Sequence, residues 1–198
     1  MANFNVENEA FDALKKVMDS YSPISDTTWA ALRLICEFQN VPKNHLIYPS
    51  AQLPTSFAFV YSGLFRVFST DEGGNEYNKN FFDEGTFPGS MTALLTETPS
   101  QFSIESLEPS VIIKIDFKAF RKLLIATDDL KLFQIYYLEK NWLLAKDARE
   151  VEIVQENASQ RYKRFLETYS SISSRIPQYH IASHLGITPT QLSRIRKK

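Results

Sequence analysis

The spacing of apolar residues changes character several times along the chain. Residues 5–20 place Phe11, Leu14, Val17 and Met18 at helical intervals, and Ser25 and Asp26 can cap a second helix from about Thr27 to Phe38. From Val41 to about Asp116 the period shortens to two. Aromatic and β-branched runs recur between Pro, Gly and Asn: His45–Tyr48, Ser56–Tyr61, Leu64–Ser69, Glu76–Phe82, Phe102–Leu107 and Ser110–Ile115. Asp71-Glu-Gly-Gly-Asn75 between two of these runs reads as a hairpin turn. Short strands with frequent turns predict an antiparallel barrel or jelly roll.

The helical period returns at Asp116. A long helix is expected from about Asp129 to Gln155, with Tyr137, Asn141, Leu144, Ala148, Val151 and Gln155 repeating near the spacing of a coiled-coil seam. At 1.5 Å per residue it would run about 40 Å, too long to bury its stripe against a small barrel, so a second subunit is the expected partner. Asn157 can cap a further helix, and Ser170–Ser174 reads as a polar linker before Pro177.

The segment Pro177–Lys198 reads as a helix-turn-helix. Ala182 is small enough for two helices to cross closely, and Gly186, four residues on, suits a left-handed turn. Ile181, Leu185, Ile187, Leu192 and Ile195 are spaced to bury one face of each helix. Thr188 can cap the second helix, Pro189 suits its first position, and Gln191 completes a Thr-x-x-Gln capping box. Thr190, Ser193, Arg194 and Lys197 then point outward. Short polar groups and arginine on an exposed helix suit reading of the DNA major groove. The expected DNA-reading set is Thr188, Pro189, Thr190, Gln191, Ser193, Arg194 and Lys197.

Charge supports that reading. The net charge of −1 conceals eight basic residues from Ser159 to Lys198 against Glu167 alone, a local +7, while the other 14 basic and 22 acidic residues leave the remainder at −8. A basic end on an acidic body is the footprint of a nucleic-acid reader attached to a second module. No apolar run approaches a membrane span and the N-terminus does not resemble a signal peptide, so a cytoplasmic protein without membrane contact is expected. The single Cys36 excludes an internal disulfide and a four-cysteine iron–sulfur cluster, and it is read as a buried thiol on a helix. His45 is read as a satisfied structural imidazole. His180 and His184, four apart with no carboxylate or cysteine beside them, are read as exposed or phosphate-facing, not as a metal pair.

The order of helix, short-strand barrel, long helix and helix-turn-helix resembles the Crp/Fnr family of bacterial transcription regulators over nearly the whole chain. Tyr61-Ser-Gly-Leu-Phe-Arg-Val-Phe is similar to the family's glycine-led strand, and Asp83-Glu-Gly-Thr-Phe-Pro-Gly-Ser to its Gly-Asp-x-x-Gly-Glu stretch. The resemblance implies an α+β protein in three parts. These are a cyclic-nucleotide-binding-like effector domain (1–128), a dimerisation helix (129–156) and a helix-turn-helix domain (157–198). It implies a homodimer on near-palindromic double-stranded DNA, with RNA polymerase as a further partner. No catalytic role and no metal are expected.

The effector pocket departs from the family's pattern. Ser90 follows Gly89 where cyclic-AMP binders carry a glutamate for the ribose, and Ser100 stands where they carry the arginine that grips the cyclic phosphate. Without a guanidinium, a buried phosphate loses its main charge-assisted partner, so cyclic AMP is not expected. Gly89, Ser90, Met91, Ser100 and Gln101 would then line a pocket for an unknown small molecule, or for none. The chain also stops where family members continue into a two-stranded wing, so a wingless domain is expected. Two other readings compete. A ligand-sensing module with a vestigial helix-turn-helix would signal through protein contacts. A cupin-type metalloenzyme would need two or three barrel histidines, and only His45 is available.

Overall fold

The computed structural model describes residues 2–144 and 156–197. The first helix, α1 (Ala2–Asp19), buries Ala10, Phe11, Leu14 and Met18 on one face. The second, α2 (Asp26–Arg33), is capped by Ser25, whose hydroxyl accepts from the Thr28 N–H. It ends well short of Phe38. Cys36–Val41 is instead strand β1, paired in register with Val111–Ile115 and Ser110 of β7 (Ser110–Asp116). Local helical spacing gives way here to the ladder bonds that an apolar neighbouring strand offers. Cys36 therefore stands on a strand, half-buried. Burial pushes its thiol up to about 12, against the opposing pull of Arg33, so it is unreactive at neutral pH.

The remaining strands fall close to the predicted runs: β2 (Leu46–Tyr48), β3 (Ser56–Ser62), β4 (Phe65–Thr70), β5 (Glu76–Phe82) and β6 (Ser103–Ser106). They form two antiparallel sheets, ordered β1-β7-β3 and β2-β6-β4-β5. Val41, Tyr48, Ala58, Val60, Phe65, Val67, Ile104 and Ile112 fill the space between them. The hairpin between β4 and β5 is the expected one. The Asp71 carboxylate accepts from the Asn75 N–H at 2.8 Å, and Gly74 supplies a φ of +81°. His45 lies just before β2 with its imidazole exposed. The residue is held through its backbone to Ser106, not as a buried ring.

Asp116 caps α4 (Phe117–Ala126), accepting from the Ala119 N–H at 2.7 Å. The next helix, α5 (Asp128–Leu138), passes into a π-helical turn at Glu139–Leu143. Its start is tied to α2, because Asp129 accepts from Ser25 N and Thr28 Oγ1. The expected seam differs in its described part. Tyr137 packs on Tyr21, Phe87 and Phe133, and Asn141 donates to the Tyr21 hydroxyl, so both face their own subunit's core. The exposed apolar side chains are Leu132, Ile135, Tyr136, Leu138, Trp142 and Leu143. Leu144 is also exposed; Ala148, Val151 and Gln155 lie outside the described residues.

Three short helices follow: α6 (Ala158–Thr168), α7 (Gln178–His184) and α8 (Pro189–Arg196). Ser170–Ser174 is a packed turn and not a linker. Ile172 and the nearby Ile176 are buried in a core that joins Phe165, Ile181, Ala182, Leu185 and Leu192 to Leu64, Phe81 and Leu107 of the barrel. Ile172 among the serines, with Ile176 just beyond them, decides the matter, since burying these side chains is worth more than solvating the hydroxyls. No described helix is long and apolar enough to cross a membrane.

Between β3 and β4, Gly63 adopts a φ of +113°, and a Cβ there would lie 2.0 Å from Ser110 Oγ. Its N–H donates to Glu84 Oε1 at 2.8 Å. Gly63→Ala is expected to cost about 2 kcal/mol or more, from backbone strain and overpacking together. A urea midpoint lowered without change in slope is the expected result, and an unchanged midpoint would contradict the close approach.

Candidate nucleic-acid interface and effector cleft

The helix-turn-helix is built as its sequence requires. Gly186 takes a φ of +64° in the turn, and Ile181, Ala182, Leu185 and Leu192 are buried, with Ile187 and Ile195 partly so. Thr188 accepts from the Gln191 N–H, while Gln191 Oε1 accepts from the Thr188 N–H at 2.9 Å. That oxygen is committed to the cap, which leaves only the amide NH₂ of Gln191 to face outward. Thr188, Pro189, Thr190, Gln191, Ser193, Arg194, Arg196 and Lys197 are all exposed along α8. The start of α6, at Asn157–Ser159, borders a shallow depression shared with Gln191, Arg194 and Ile195.

The basic end is less available than its raw charge suggests. Arg161 donates to the carbonyls of Glu156 and Leu185, tying α6 to the end of α7. Arg164 pairs with Glu156 at 2.5 Å. Arg175 forks onto Glu84, with both bonds at 2.9 Å, and also bonds Glu108. Burial alone would raise the Glu84 carboxyl, but the Arg175 bonds and the Gly63 N–H hold it down at about 2. Among the described residues, Arg194, Arg196 and Lys197 are exposed along the recognition face, and Lys163 is exposed on α6.

The two histidines are neither exposed nor phosphate-facing. His180 is 4% exposed, pressed by α7 against β4 and β5. Its Nδ1 lies 3.2 Å from Arg66 Nη1 and 3.3 Å from Asn78 Nδ2. Arginine only donates, so this Nδ1 is an acceptor and the ring is neutral with its proton on Nε2. Burial, then the Arg66 charge, hold His180 at about 4, with Glu76 opposing weakly. His184 Nδ1 donates to the Asn78 carbonyl at 2.9 Å, and its ring packs among Phe81, Phe165 and Tyr169. Sequence spacing placed these rings on one helix face correctly. It held no sign that the barrel would cover that face. No group of three or more His, Cys, Asp or Glu side chains among the described residues is placed to hold a metal ion.

Gly89, Ser90, Met91, Ser100 and Gln101 meet on one cleft of about 1230 Å³. The segment before Gly89 runs along β3, where Ala58 N donates to Pro88 O and Val60 N to Thr86 O. A Cβ on Gly89 would lie 2.7 Å from Phe57 Cβ, so the chain can pass only as glycine. Ser90, the N-cap of α3 (Met91–Thr96), shares a 2.6 Å hydrogen bond with the buried Ser100 hydroxyl. Ser100 Oγ also contacts both backbone groups of Phe102. The serine pair thus satisfies itself and presents no positive charge. Lys79 is the one cation among the described lining residues, and it sits 4.3 Å over the Phe102 ring. Arg66 is turned away to Glu76 and Glu105. Among the described lining residues a cyclic phosphate would find no guanidinium, so these residues do not fit the nucleotide that the fold suggests.

The cleft also has walls that the sequence did not announce. Phe82, Phe87, Phe102, Tyr137 and Trp142 enclose it, and Thr168, Tyr169, Ser171 and Ile172 reach it from the C-terminal unit. These residues are far apart in sequence, and only the folded topology brings them together.

Residues 38–127 match the family model of the cyclic nucleotide-binding domain. The whole-chain similarities are structural. The c-di-GMP responsive global regulator CLP of Xanthomonas campestris superposes with a TM-score of 0.68 at 14% identity, over 87% of this chain and 90% of that one. FixK2 from Bradyrhizobium japonicum gives 0.65 at 16% identity, over 82% and 83%. The catabolite activator protein of Thermus thermophilus gives 0.54 at 20% identity, over 89% and 84%. The fold is that of the Crp/Fnr regulators. The α+β architecture expected from the sequence, a cyclic-nucleotide-binding-like barrel followed by helices, is therefore the observed one. No curated protein matches the chain. Within that fold, the matched region carries Ser90 and Ser100 at the base of the cleft.

The His180 contact has a signed pH dependence. An undocked imidazole titrates near its ordinary 6.5 and the docked one near 4, so the undocked state binds more protons between those values. The contribution of the neutral His180 ring to docking of α7 on the barrel is expected to be fully present above pH 6.5 and to weaken progressively toward pH 4. Hydrogen exchange of the amides in residues 178–184, corrected for intrinsic rate, is expected to be faster at pH 5 than at pH 7. Equal protection would contradict a neutral acceptor ring.

Proposed function

We propose that the protein is a sequence-specific, double-stranded-DNA-binding transcription regulator that acts as a homodimer. The observation that carries this reading is the α8 face. It is capped at Thr188, held by a buried Leu192, and presents Thr190, Ser193, Arg194 and Lys197 to solvent. Arg194 reads guanine through its bidentate fork, Thr190 and Ser193 touch neighbouring bases, and Pro189 meets an apolar thymine edge. Thr188 serves as the cap beside the backbone, and Gln191 contributes donors only. Arg196 and Lys197 attract phosphate. RNA polymerase is the natural further partner of such a regulator, and the cytoplasm its compartment.

The three parts divide the labour as an effector domain (1–128), a dimerising helix (129–156) and a DNA-binding domain (157–198). Support for the dimer comes from the exposed row Leu132, Ile135, Tyr136, Trp142 and Leu143, which a second copy would cover. Two recognition helices then enter successive major grooves about 34 Å apart. The effector, if one binds, occupies the cleft around Gly89, Ser90, Met91, Ser100 and Gln101 and is not cyclic AMP.

In-vitro selection of bound DNA tests the reading as a whole. A near-palindromic pair of half-sites is expected, and recovery of unenriched sequence would refute it. Arg194→Ala should lose about 1–3 kcal/mol and relax preference at one base pair, whereas Lys197→Ala should weaken all sequences alike and reduce the salt slope by about one. In the same protein, Ile135→Glu is expected to shift sedimentation from dimer to monomer and to abolish binding to paired half-sites while leaving the secondary structure intact. A dimer that survives this charge would place the interface elsewhere.

A further inference from the structure

The contact between α7 and the barrel is more polar and more specific than packing alone requires. Ser183 Oγ donates to the Glu76 carbonyl at 2.6 Å and accepts from the Asn78 N–H at 3.1 Å. Asn78, wholly buried, reaches both the ring and the carbonyl of His180 through its side chain, and its own carbonyl takes the His184 N–H. Arg66, 5% exposed, extends from β4 to His180 while Glu76 and Glu105 neutralise it. Two further ties flank this centre. Tyr169 donates to Asn80 Oδ1 at 2.5 Å, and Arg175 spans Glu84 and Glu108. Each bond fixes a direction as well as a distance. Together they hold the helix-turn-helix in one orientation on its own barrel.

We propose that Arg66, Asn78 and His180 are positioning residues for DNA binding, fixing the helix-turn-helix in the single seat that sets the separation of the two recognition helices in the dimer. The proposal rests on the dimeric DNA-binding reading above. None of the three reaches DNA. They act by removing a freedom that would otherwise be lost on binding. A domain swinging on a loose connection would meet half-sites at several spacings and would bear the ordering entropy at each encounter, whereas a seated domain is already ordered. The seat leaves the α8 face exposed, as DNA binding requires. Strand β5 carries the consequence further. Asn78 grips α7, while Lys79, Asn80, Phe81 and Phe82 border the effector cleft. A molecule in the cleft therefore touches the strand that seats the reader within the same subunit.

His180→Leu fills similar space but removes the acceptor for Arg66 and Asn78, and His180→Gln keeps an acceptor oxygen. Both are made in the full chain and tested on the selected DNA and on versions with half-site spacing changed by one or two base pairs. The wild type is expected to prefer one spacing. His180→Leu should bind the best spacing about tenfold more weakly, as expected for one buried donor left unpaired, and should discriminate less among spacings. His180→Gln should recover the preference. Unchanged spacing dependence in His180→Leu, or tighter binding, would overturn the proposal; the latter would make the seat inhibitory. Arg175→Gln, at the outer edge of the contact, gives a milder variant should His180→Leu fail to fold, and it is expected to change spacing preference in the same direction.

A second readout separates failure of this proposal from failure of the functional reading. Nitroxides are attached to Glu37→Cys on β1 and Glu167→Cys on α6, in a Cys36→Ser background, and measured without DNA in dimers formed with excess unlabelled protein, so that the two labels report a single subunit. A single narrow distance is expected in the wild-type seat and a broad one in His180→Leu. A distribution that stays narrow sinks the positioning role whatever the DNA result. Broadening together with a wild type that binds no DNA would refute the DNA-binding reading and with it the assigned purpose of the seat.

Discussion

A buried arginine organises this molecule. Arg66 lies in the middle of the four-stranded sheet with almost no access to water, and an unpaired guanidinium there would cost several kcal/mol. Four groups from three other elements answer it: Glu105 from β6, Glu76 and Asn78 from β5, and His180 from α7. The Phe68 ring lies 3.8 Å from the guanidinium carbon and shields it further. The charge is neutralised by Glu76 and Glu105 when the sheet is paired in register, and the docked α7 adds the His180 acceptor to that network. The bond to His180 joins the ties from Ser183, His184, Tyr169 and Arg175 that couple the two units beyond their apolar contact.

That coupling gives strand β5 an unusual position. Its hydrogen bonds to β4 hold it in the barrel, Asn78 faces the helix-turn-helix, and Phe81 stacks edge-on against Phe165 and Tyr169 in the C-terminal core. The same strand borders the cleft. The serine pair at the base of that cleft is self-satisfied and uncharged, so a ligand there gains mainly from the aromatic walls, several of which come from α5 and the segment 168–172. A cyclic phosphate held by arginine would anchor within the barrel alone. A molecule held by this cleft would bridge the barrel, α5 and the C-terminal unit.

Much of this arrangement is legible in the sequence where local chemistry dominates. Alternation in Ser56–Tyr61 and Ser110–Ile115, the Asp71–Asn75 hairpin, and the caps at Ser25, Asn157 and Thr188 depend on neighbours within a few residues, and each forms where its residues direct. What escapes is set by distant partners. Cys36–Val41 carries helical spacing but meets an unpaired edge of β7. Tyr137 and Asn141 have coiled-coil spacing but find Tyr21 just past α1's end, which leaves the exposed apolar row to Leu132, Ile135, Tyr136, Trp142 and Leu143. Ser170–Ser174 looks solvated until Ile172 meets the barrel. The cleft residues Gly89, Ser90, Met91, Ser100 and Gln101 could be placed from the glycine-led stretch and its following serines, whereas the walls from Tyr137, Trp142 and Tyr169 carry no local mark.

The same distinction governs the charge. A count along the chain makes the C-terminal end a strong cation, but the folded arrangement withdraws Arg161, Arg164 and Arg175 into carbonyl and carboxylate pairs. These three act on architecture: one joins α6 to α7, one closes the start of α6, and one ties the packed turn to the acidic barrel. Among the described residues, the long-range attraction to a polyanion then rests mainly on the short row Arg194, Arg196 and Lys197, close to the base-reading side chains. A small number of phosphate contacts gives a shallow salt dependence and weak non-specific binding by one subunit. Discrimination must therefore come from pairing two readers at a fixed separation. That requirement is why the seat built around Arg66, which holds no DNA itself, bears directly on what the recognition helix can do.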